Sequence, residues 1–216
     1  MTITAVQNKD ELSKDNLPPE EIIRDVPKDS SMLVTTNREE INWVHTYMLV
    51  VPPLVAIYGL MTTPIQLKTA IFAVLMYFWC GLGITGGYHR LWSHKAYSAK
   101  FPVRLFLAIG GAAAMEGSIK WWSRNHRAHH RYTDTDKDPY NARRGFFYSH
   151  LGWMLVKQKA GQVGFADITD LQRDPLVRWQ HKYYPIIAIG AGVIFPIAVA
   201  STWGDFWGGV FYAAAM

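Results

Sequence analysis

Three long stretches without a charged residue most limit what this chain can fold into. They cover residues 47–67, 69–88 and 183–203, and each has about the length that a helix needs to cross the apolar core of a bilayer. Inside lipid, a helix satisfies its own backbone hydrogen bonds, and half of the residues of this chain are hydrophobic. The sequence therefore predicts an all-α, polytopic membrane protein.

The positions of the charges predict two transmembrane helical hairpins. Lys68 is the only charged residue between the first two uncharged stretches, so we expect residues 46–88 to form an antiparallel hairpin. Residues 183–216 begin a second hairpin, whose second half starts at Phe206 and stops roughly halfway through a span. We therefore expect the second hairpin to be incomplete and the sequence to be truncated at Met216.

The polar region between the hairpins, residues 89–182, is basic, with 16 Lys and Arg against 7 Asp and Glu. Positive residues concentrate on the cytoplasmic side of a membrane, so we expect this region and the N-terminus to be cytosolic. Residues 1–45 form a polar arm with little to bury, which predicts disorder. The basic surface suits an anionic ligand, an anionic membrane surface or an acidic protein, and no recognition fold for nucleic acid is apparent.

One apolar segment of the polar region, residues 101–119, resembles a further span by its hydropathy. Arg104 and Glu116 leave an uncharged core of only 11 residues, which is too short to cross a bilayer. A crossing would also separate the two histidine segments of this region by about 30 Å. We predict a helix that lies in the membrane interface or against the helical bundle.

Five of the eight histidines fall in two short segments of the polar region. His126, His129 and His130 share one face of a helix, because they are spaced i, i+3 and i+4. His89 and His94 would lie about 140° apart on a regular helix. They can reach one centre only if the backbone loosens between them, unless they bind different metals of a pair.

Clustered imidazoles suit several first-row transition metals, among them iron, copper and zinc. A pair of metals with many imidazole ligands favours non-haem iron that activates dioxygen. Zinc hydrolysis needs only three or four ligands, and the second histidine segment alone could equally be a basic, solvated helix face. The residues leave these alternatives open.

The flanks of both histidine segments resemble the acyl-CoA Δ9 (stearoyl-CoA) desaturases, and are most like the fungal members. The shared motifs are Gly-Tyr-His-Arg-Leu-Trp-Ser-His at 87–94, Arg-Asn-His-Arg-Ala-His-His at 124–130, Asp-Pro at 138–139, Arg-Arg-Gly-Phe-Phe at 143–147 and Ser-His-Leu-Gly-Trp at 149–153. The resemblance implies a multi-pass enzyme of the endoplasmic reticulum with a di-iron (Fe²⁺) centre. It would desaturate a saturated fatty acyl-CoA in contact with membrane lipid, using O₂ and electrons from cytochrome b5 and its reductase.

The resemblance also implies roles for individual residues. The metal ligands would be His89, His94, His126, His129 and His130, and the contacts to the CoA end of the substrate would be Arg124, Asn125 and Lys157. The family has a third histidine box, and many fungal members have a cytochrome b5-like domain, both of which would follow Met216. We therefore expect residues 1–216 alone to be catalytically inactive.

Two other functional classes remain open from the sequence. Related histidine-box membrane oxygenases hydroxylate lipids or desaturate sphingolipids, and their products (alcohol or alkene) would distinguish them. A membrane adaptor with a basic cytosolic face would not be an enzyme and would hold no metal. The preferred acyl chain length does not follow from the sequence.

Overall fold

Helices make up the regular secondary structure of the residues that the computed structural model describes, 40–158 and 161–215. The α-helices are α1 (Trp43–Thr62), α2 (Leu67–Leu82), α3 (Phe101–Ala113), α4 (Ile119–Tyr132), α5 (Trp153–Leu155), α6 (Thr169–Arg173), α7 (Pro175–Lys182), α8 (Tyr184–Ile189), α9 (Phe195–Ser201) and α10 (Phe206–Gly208). Four π-helical segments are π1 (Gly83–Ser93), π2 (Tyr148–Gly152), π3 (Gly190–Ile194) and π4 (Gly209–Ala214), and a 3₁₀ turn covers Ala142–Arg144. In these ranges no β-sheet forms, which confirms the all-α prediction.

Three helices are long and apolar enough to cross a membrane. They are Trp43–Thr62, Leu67–Ser93, in which α2 continues into π1, and Tyr184–Ser201, which joins α8, π3 and α9. Large apolar side chains on their outer faces are exposed, for example Leu75 and Ile186. Exposed apolar surface on such helices is the surface that lipid covers, so the prediction of a multi-pass membrane protein is confirmed.

A buried polar contact joins the two predicted hairpins at one end of the bundle. The hydroxyl of Thr69, on α2, donates to the Asp205 carboxylate, and the Trp203 indole donates to the Thr69 oxygen (3.0 Å). The Asp205 carboxylate also accepts from the Gly208 amide (3.0 Å), which caps α10. Both Thr69 and Asp205 are buried, so every partner is needed to offset the desolvation of the carboxylate.

The short apolar helix α3 packs against the bundle, along π1 and α2 and beside α8. Its inner face is buried through Leu107, Ala108 and Ala112, and its Arg104 forms an ion pair with Asp174 before α7. With 13 residues it is shorter than the three candidate spans. The depth of α3 in a bilayer stays a prediction.

The core of the polar region lies among π1, α3, α4, α6 and α7, which together carry its buried side chains. That core consists of Tyr88, Trp92, Leu107, Ala108, Ile119, Leu171, Leu176 and Val177. Tyr88 is also fixed by polar contacts, because its hydroxyl accepts from the Gln180 amide (2.7 Å) while the Gln180 carbonyl accepts from the Ile119 amide (3.1 Å). This core anchors both histidine segments, because π1 carries the first segment and α4 carries the second.

Of the predicted arm, residues 1–45, positions 1–39 lie outside the described residues. Helix α1 begins at Trp43, three residues before the predicted start of the first hairpin. The segment before α1 pairs with the residues after α5, through the bridge between Ile41 and Val156. The predicted boundaries at residues 88, 182 and 183 remain predictions.

Candidate metal centre

The π1 segment brings His89 and His94 onto the same side of the backbone. A π-helix closes its hydrogen bonds between residues five apart, and the amide of His94 donates to the carbonyl of His89 (2.9 Å). The two ring centroids are 4.5 Å apart, although a regular helix would direct these rings away from each other. Of the two alternatives that the spacing allows, the structure therefore has the loosened backbone.

Side-chain hydroxyls bond to the backbone carbonyls of π1. Tyr97 donates to the Gly86 carbonyl (2.6 Å). The Tyr88 carbonyl accepts from Ser93 (2.7 Å) and Ser123 (3.3 Å). These bonds tie the wide helix to its neighbours, and the bond from Ser123 also ties it to α4.

Helix α4 supplies the second histidine segment. The Ser118 hydroxyl accepts from the Trp121 amide at its N-terminus (3.3 Å), a standard N-cap contact. From that start, the helical period places His126 and His130 one turn apart and facing π1. Their ring centroids are 4.6 Å apart.

Four imidazoles from the two segments converge on one point. The ligand nitrogens of His89, His94, His126 and His130 all lie within 4.8 Å of one another. His126 is central, with its Nε2 atom 3.1 Å from Nε2 of His94 and 3.0 Å from Nε2 of His130. Two nitrogens bound to one metal at 2.0–2.1 Å in tetrahedral geometry lie about 3.3 Å apart. The arrangement therefore fits a transition metal with only small side-chain shifts.

The environment keeps three of these rings neutral at neutral pH. Burial, then His130 and the other nearby histidines, lower the pKa of His126 from 6.5 to about 3. Burial and neighbouring imidazoles also lower the pKa of His94 and of His130. Neutral imidazole is the form that binds a metal, so these three rings need not lose a proton before they bind one.

The cluster opens onto a cleft of about 330 Å³ that is lined by Ser93, His94, His126, Arg127, His130 and Arg131. His94 and His130 are exposed at its surface, whereas His89 and His126 are half-buried. On the inner side, the indole of Trp122 stacks on the His126 ring, with centroids 4.8 Å apart. The centre therefore has one apolar wall and one side that is accessible from the cleft.

His129, the fifth predicted ligand, lies beside the cluster rather than in it. Its ring centroid is 5.5 Å from that of His130 and 6.3 Å from that of His126, and its Nδ1 atom is 2.9 Å from the carboxylate of Asp138. Metal-binding histidines commonly donate their second ring N–H to a carboxylate, and such a bond would leave Nε2 for a metal. The role of His129 as a ligand stays a prediction.

The three predicted substrate contacts do not share one environment. Arg124 is half-buried on α4, whereas the Asn125 side chain is fully buried and its amide has no partner among the described residues. The ammonium of Lys157 pairs with Glu40 (3.1 Å) before α1. Because Asn125 is buried, it could contact a substrate only if the residues that cover it moved aside. All three assignments stay predictions.

Sequence reasoning did not identify Trp122 or Asp138 as part of the centre. Its position could have indicated the contact of Trp122 with His126, because Trp122 precedes His126 by one helical turn. Asp138 lies in a turn after α4, where its two carboxylate oxygens also accept from the Asp134 and Tyr140 amides (2.8 and 2.9 Å). The Asp-Pro motif at 138–139 is shared with the family, but an Asp-rich turn usually serves only its own backbone, so the sequence did not indicate the contact with His129.

Comparison with known proteins agrees with this geometry. The family model described as fatty acid desaturase matches residues 67–216. The chain is 56% identical over 174 residues to a probable acyl-CoA desaturase of Schizosaccharomyces pombe, which covers 80% of the chain and 36% of that protein. It is 41% identical over 206 residues to acyl-CoA desaturase 1 of Saccharomyces cerevisiae, covering 94% and 40%. With stearoyl-CoA desaturase 5 of Homo sapiens the identity is 40% over 185 residues, covering 83% and 56%.

Proposed function

The chain belongs to the fatty acid desaturase family, and from this premise we propose that the protein is a fatty acyl-CoA Δ9 desaturase. The single observation that carries the proposal is the convergence of four imidazoles from two separate segments. The chain spans between 36% and 56% of the length of the relatives compared above. The activity, substrate and partners of the whole protein are therefore part of the proposal.

Among the first-row metals that imidazole donors suit, the family relation favours iron. The four rings offer only imidazole nitrogens, which suit iron among several first-row metals, and the family relation selects an oxidative over a hydrolytic use. Bound iron would supply the activation of O₂. His89, His94, His126 and His130 would hold it, with His129 as a further ligand whose orientation Asp138 sets.

The chain's own residues would position the substrate and restrict water. The accessible side of the cluster faces a cleft with Arg131 on its wall, and Arg124 lies on the same helix. Charge-assisted hydrogen bonds from guanidinium groups suit the phosphates of CoA. On the other side of the cluster, the Trp122 ring stacks on His126 and would shield that face from water.

The overall reaction requires electrons and protons from outside the substrate. Two hydrogens leave the acyl chain as the double bond forms, and together with two electrons and two protons they reduce O₂ to two waters. We propose cytochrome b5 and its reductase as the electron source and the endoplasmic reticulum as the location, with the histidine segments on the cytosolic side. The basic region 89–182 supports that orientation.

Product analysis tests the proposal. Full-length protein that carries these residues should restore Δ9-unsaturated fatty acids in cells that lack this activity. A His126→Ala variant, which removes the central imidazole, should not. A hydroxylated acyl chain in place of the alkene would favour a lipid hydroxylase, and a protein that contains no metal would favour a non-catalytic adaptor.

A further inference from the structure

The guanidinium of Arg127, a residue of the second histidine segment, contacts the first segment and a third part of the chain. It follows His126 on α4, yet its side chain turns toward the end of π1. Nε donates to the Ser93 carbonyl (3.2 Å) and Nη2 to the Trp92 carbonyl (2.6 Å). These carbonyls belong to the two residues directly before His94.

The same guanidinium is oriented by a carboxylate from α6. Nη1 and Nη2 of Arg127 donate to Oδ1 and Oδ2 of Asp170, at 2.7 and 2.8 Å. Nη1 donates in addition to the Asp167 carbonyl (2.7 Å). A guanidinium has five N–H donors in a rigid fork, and Arg127 has five donor contacts, so its position is fully determined by its partners.

Asp170 reaches the first histidine segment independently of Arg127. The ammonium of Lys95, the residue after His94, lies 3.1 Å from Oδ2 of Asp170. Lys95 has a left-handed backbone (φ 52°), which ends the π-helical path directly after His94. The carboxylate therefore contacts the neighbour of one histidine from each segment, Lys95 beside His94 and Arg127 beside His126.

We propose that Arg127 and Asp170 are a positioning pair that sets the separation of His94 and His126. The two Nε2 atoms are 3.1 Å apart although they belong to different helices, and the Arg127 fork is a polar link between those helices that starts beside His126 and ends beside His94. Groups that hydrogen-bond to metal ligands typically change metal affinity by about 10-fold to 100-fold when they are removed, and Arg127 acts one step further out, through the backbone before His94. This inference rests on the proposed metal centre and adds two residues that do not themselves touch the metal.

The chain offers a matched control for this pair. Arg104 and Asp174 also form a partly buried Arg–Asp ion pair, and Asp174 is only four residues after Asp170 in the sequence. Arg104 lies on α3, however, and has no contact of this kind with a histidine segment among the described residues. Loss of either pair should destabilise the 165–175 region, but only loss of the Arg127 pair should change the metal centre.

The experiment measures Co²⁺ affinity and the visible absorption spectrum of Co²⁺ in the detergent-purified protein. We expect Arg127→Gln to weaken Co²⁺ binding by about tenfold or more and to shift the absorption bands, because the ligand geometry changes. Arg104→Gln should leave both unchanged while it lowers the thermal unfolding midpoint. Asp170→Asn keeps the shape of the side chain and should also weaken Co²⁺ binding. It provides the test if Arg127→Gln does not fold.

The double variant and the unmodified protein separate the possible failures. If the pair acts as a unit, Arg127→Gln with Asp170→Asn should bind Co²⁺ no more weakly than Arg127→Gln alone. Equal Co²⁺ affinity in the Arg127→Gln, Arg104→Gln and unmodified proteins would overturn the positioning role and leave the metal centre intact. Absence of Co²⁺ binding to the unmodified protein, or binding unaffected by His126→Ala, would overturn the metal centre itself.

Discussion

At the scale of single residues, Asp138 shows how a turn outside the helices contacts a histidine beside the centre. Its fully buried carboxylate contacts His129 and two backbone amides. Replacement by asparagine keeps the size of the side chain but removes the charge and one acceptor oxygen. The amide cannot accept from all three donors, so the contact that orients the His129 ring would be weakened.

We predict that Asp138→Asn lowers the iron content and the metal affinity of the full-length protein by about 10-fold to 100-fold. Asp136→Asn is the matched control, because Asp136 is exposed in the same turn. Metal analysis by mass spectrometry after dialysis measures the effect. Equal metal content in the two variants would mean that the contact between Asp138 and His129 serves only the turn.

The lowered pKa of His126 predicts a pH dependence of the metal-free protein. Since the folded-state pKa is about 3 and the ordinary value 6.5, the unfolded chain binds a proton below about pH 6.5 that the folded protein does not bind. Stability therefore falls as the pH decreases below 6.5. Thermal unfolding of metal-free protein between pH 8 and pH 5 should show this decrease, and His126→Gln should reduce it. A midpoint that does not change with pH over this window would contradict the shift.

Arg124, which is half-buried on α4, is the proposed substrate contact that a single substitution can test. A charge-assisted contact to phosphate contributes about 1.5–3 kcal/mol, so Arg124→Ala should weaken acyl-CoA binding about tenfold or more while the metal is retained. Arg173→Ala, which removes an exposed charge on α6, is the control for general electrostatic attraction. If the two variants bind acyl-CoA equally well, Arg124 is not part of the substrate site.

At the scale of elements, the joint between α2 and π1 depends on a close backbone approach. A Cβ atom added at Gly83 would lie 2.1 Å from the Gly111 nitrogen and 2.5 Å from the Gly110 carbonyl carbon of α3. Backbone atoms cannot move aside as a flexible side chain can. At Gly81, two residues earlier, an added Cβ atom would meet nothing within 4 Å.

We predict that Gly83→Ala destabilises the protein by at least about 1–3 kcal/mol, the usual range for overpacking, and disturbs the path of π1. Gly81→Ala should be neutral or slightly stabilising, because alanine favours helix over glycine. Thermal unfolding in detergent, together with Co²⁺ binding, measures both consequences. A Gly83→Ala protein as stable as Gly81→Ala would show that α3 can shift away from π1 at little cost.

At the scale of the whole molecule, the basic region between the spans predicts the orientation in the membrane. In a Cys80→Ala background, cysteines at Lys100 and at Thr135, both exposed, should react with an impermeant reagent added to the cytosolic side of intact microsomes. A cysteine at Gln66, in the short connection between α1 and α2, should react only after the membrane is permeabilised. The reverse pattern would invert the proposed topology.

Much of this molecule follows from the sequence alone. Uncharged stretches of about 20 residues have few alternatives to membrane helices, because unpaired backbone groups are too costly in lipid. The confirmed spans and the all-α class rest on that rule. The family resemblance and the pairing of His126 with His130 likewise depend on local spacing, which a helix converts directly into a shared face.

The tertiary structure decided what local spacing could not. The i, i+5 spacing of His89 and His94 was compatible with a loosened helix or with two separate sites. The structure has the loosened helix, in which π1 contacts Tyr97, Ser123 and α3. Arg127 lies 43 residues from Asp170, and no periodicity relates positions that far apart. The sequence determined which side chains are candidate ligands. Packing between distant helices determined how closely these side chains approach one another, because their separation depends on every contact that holds those helices together.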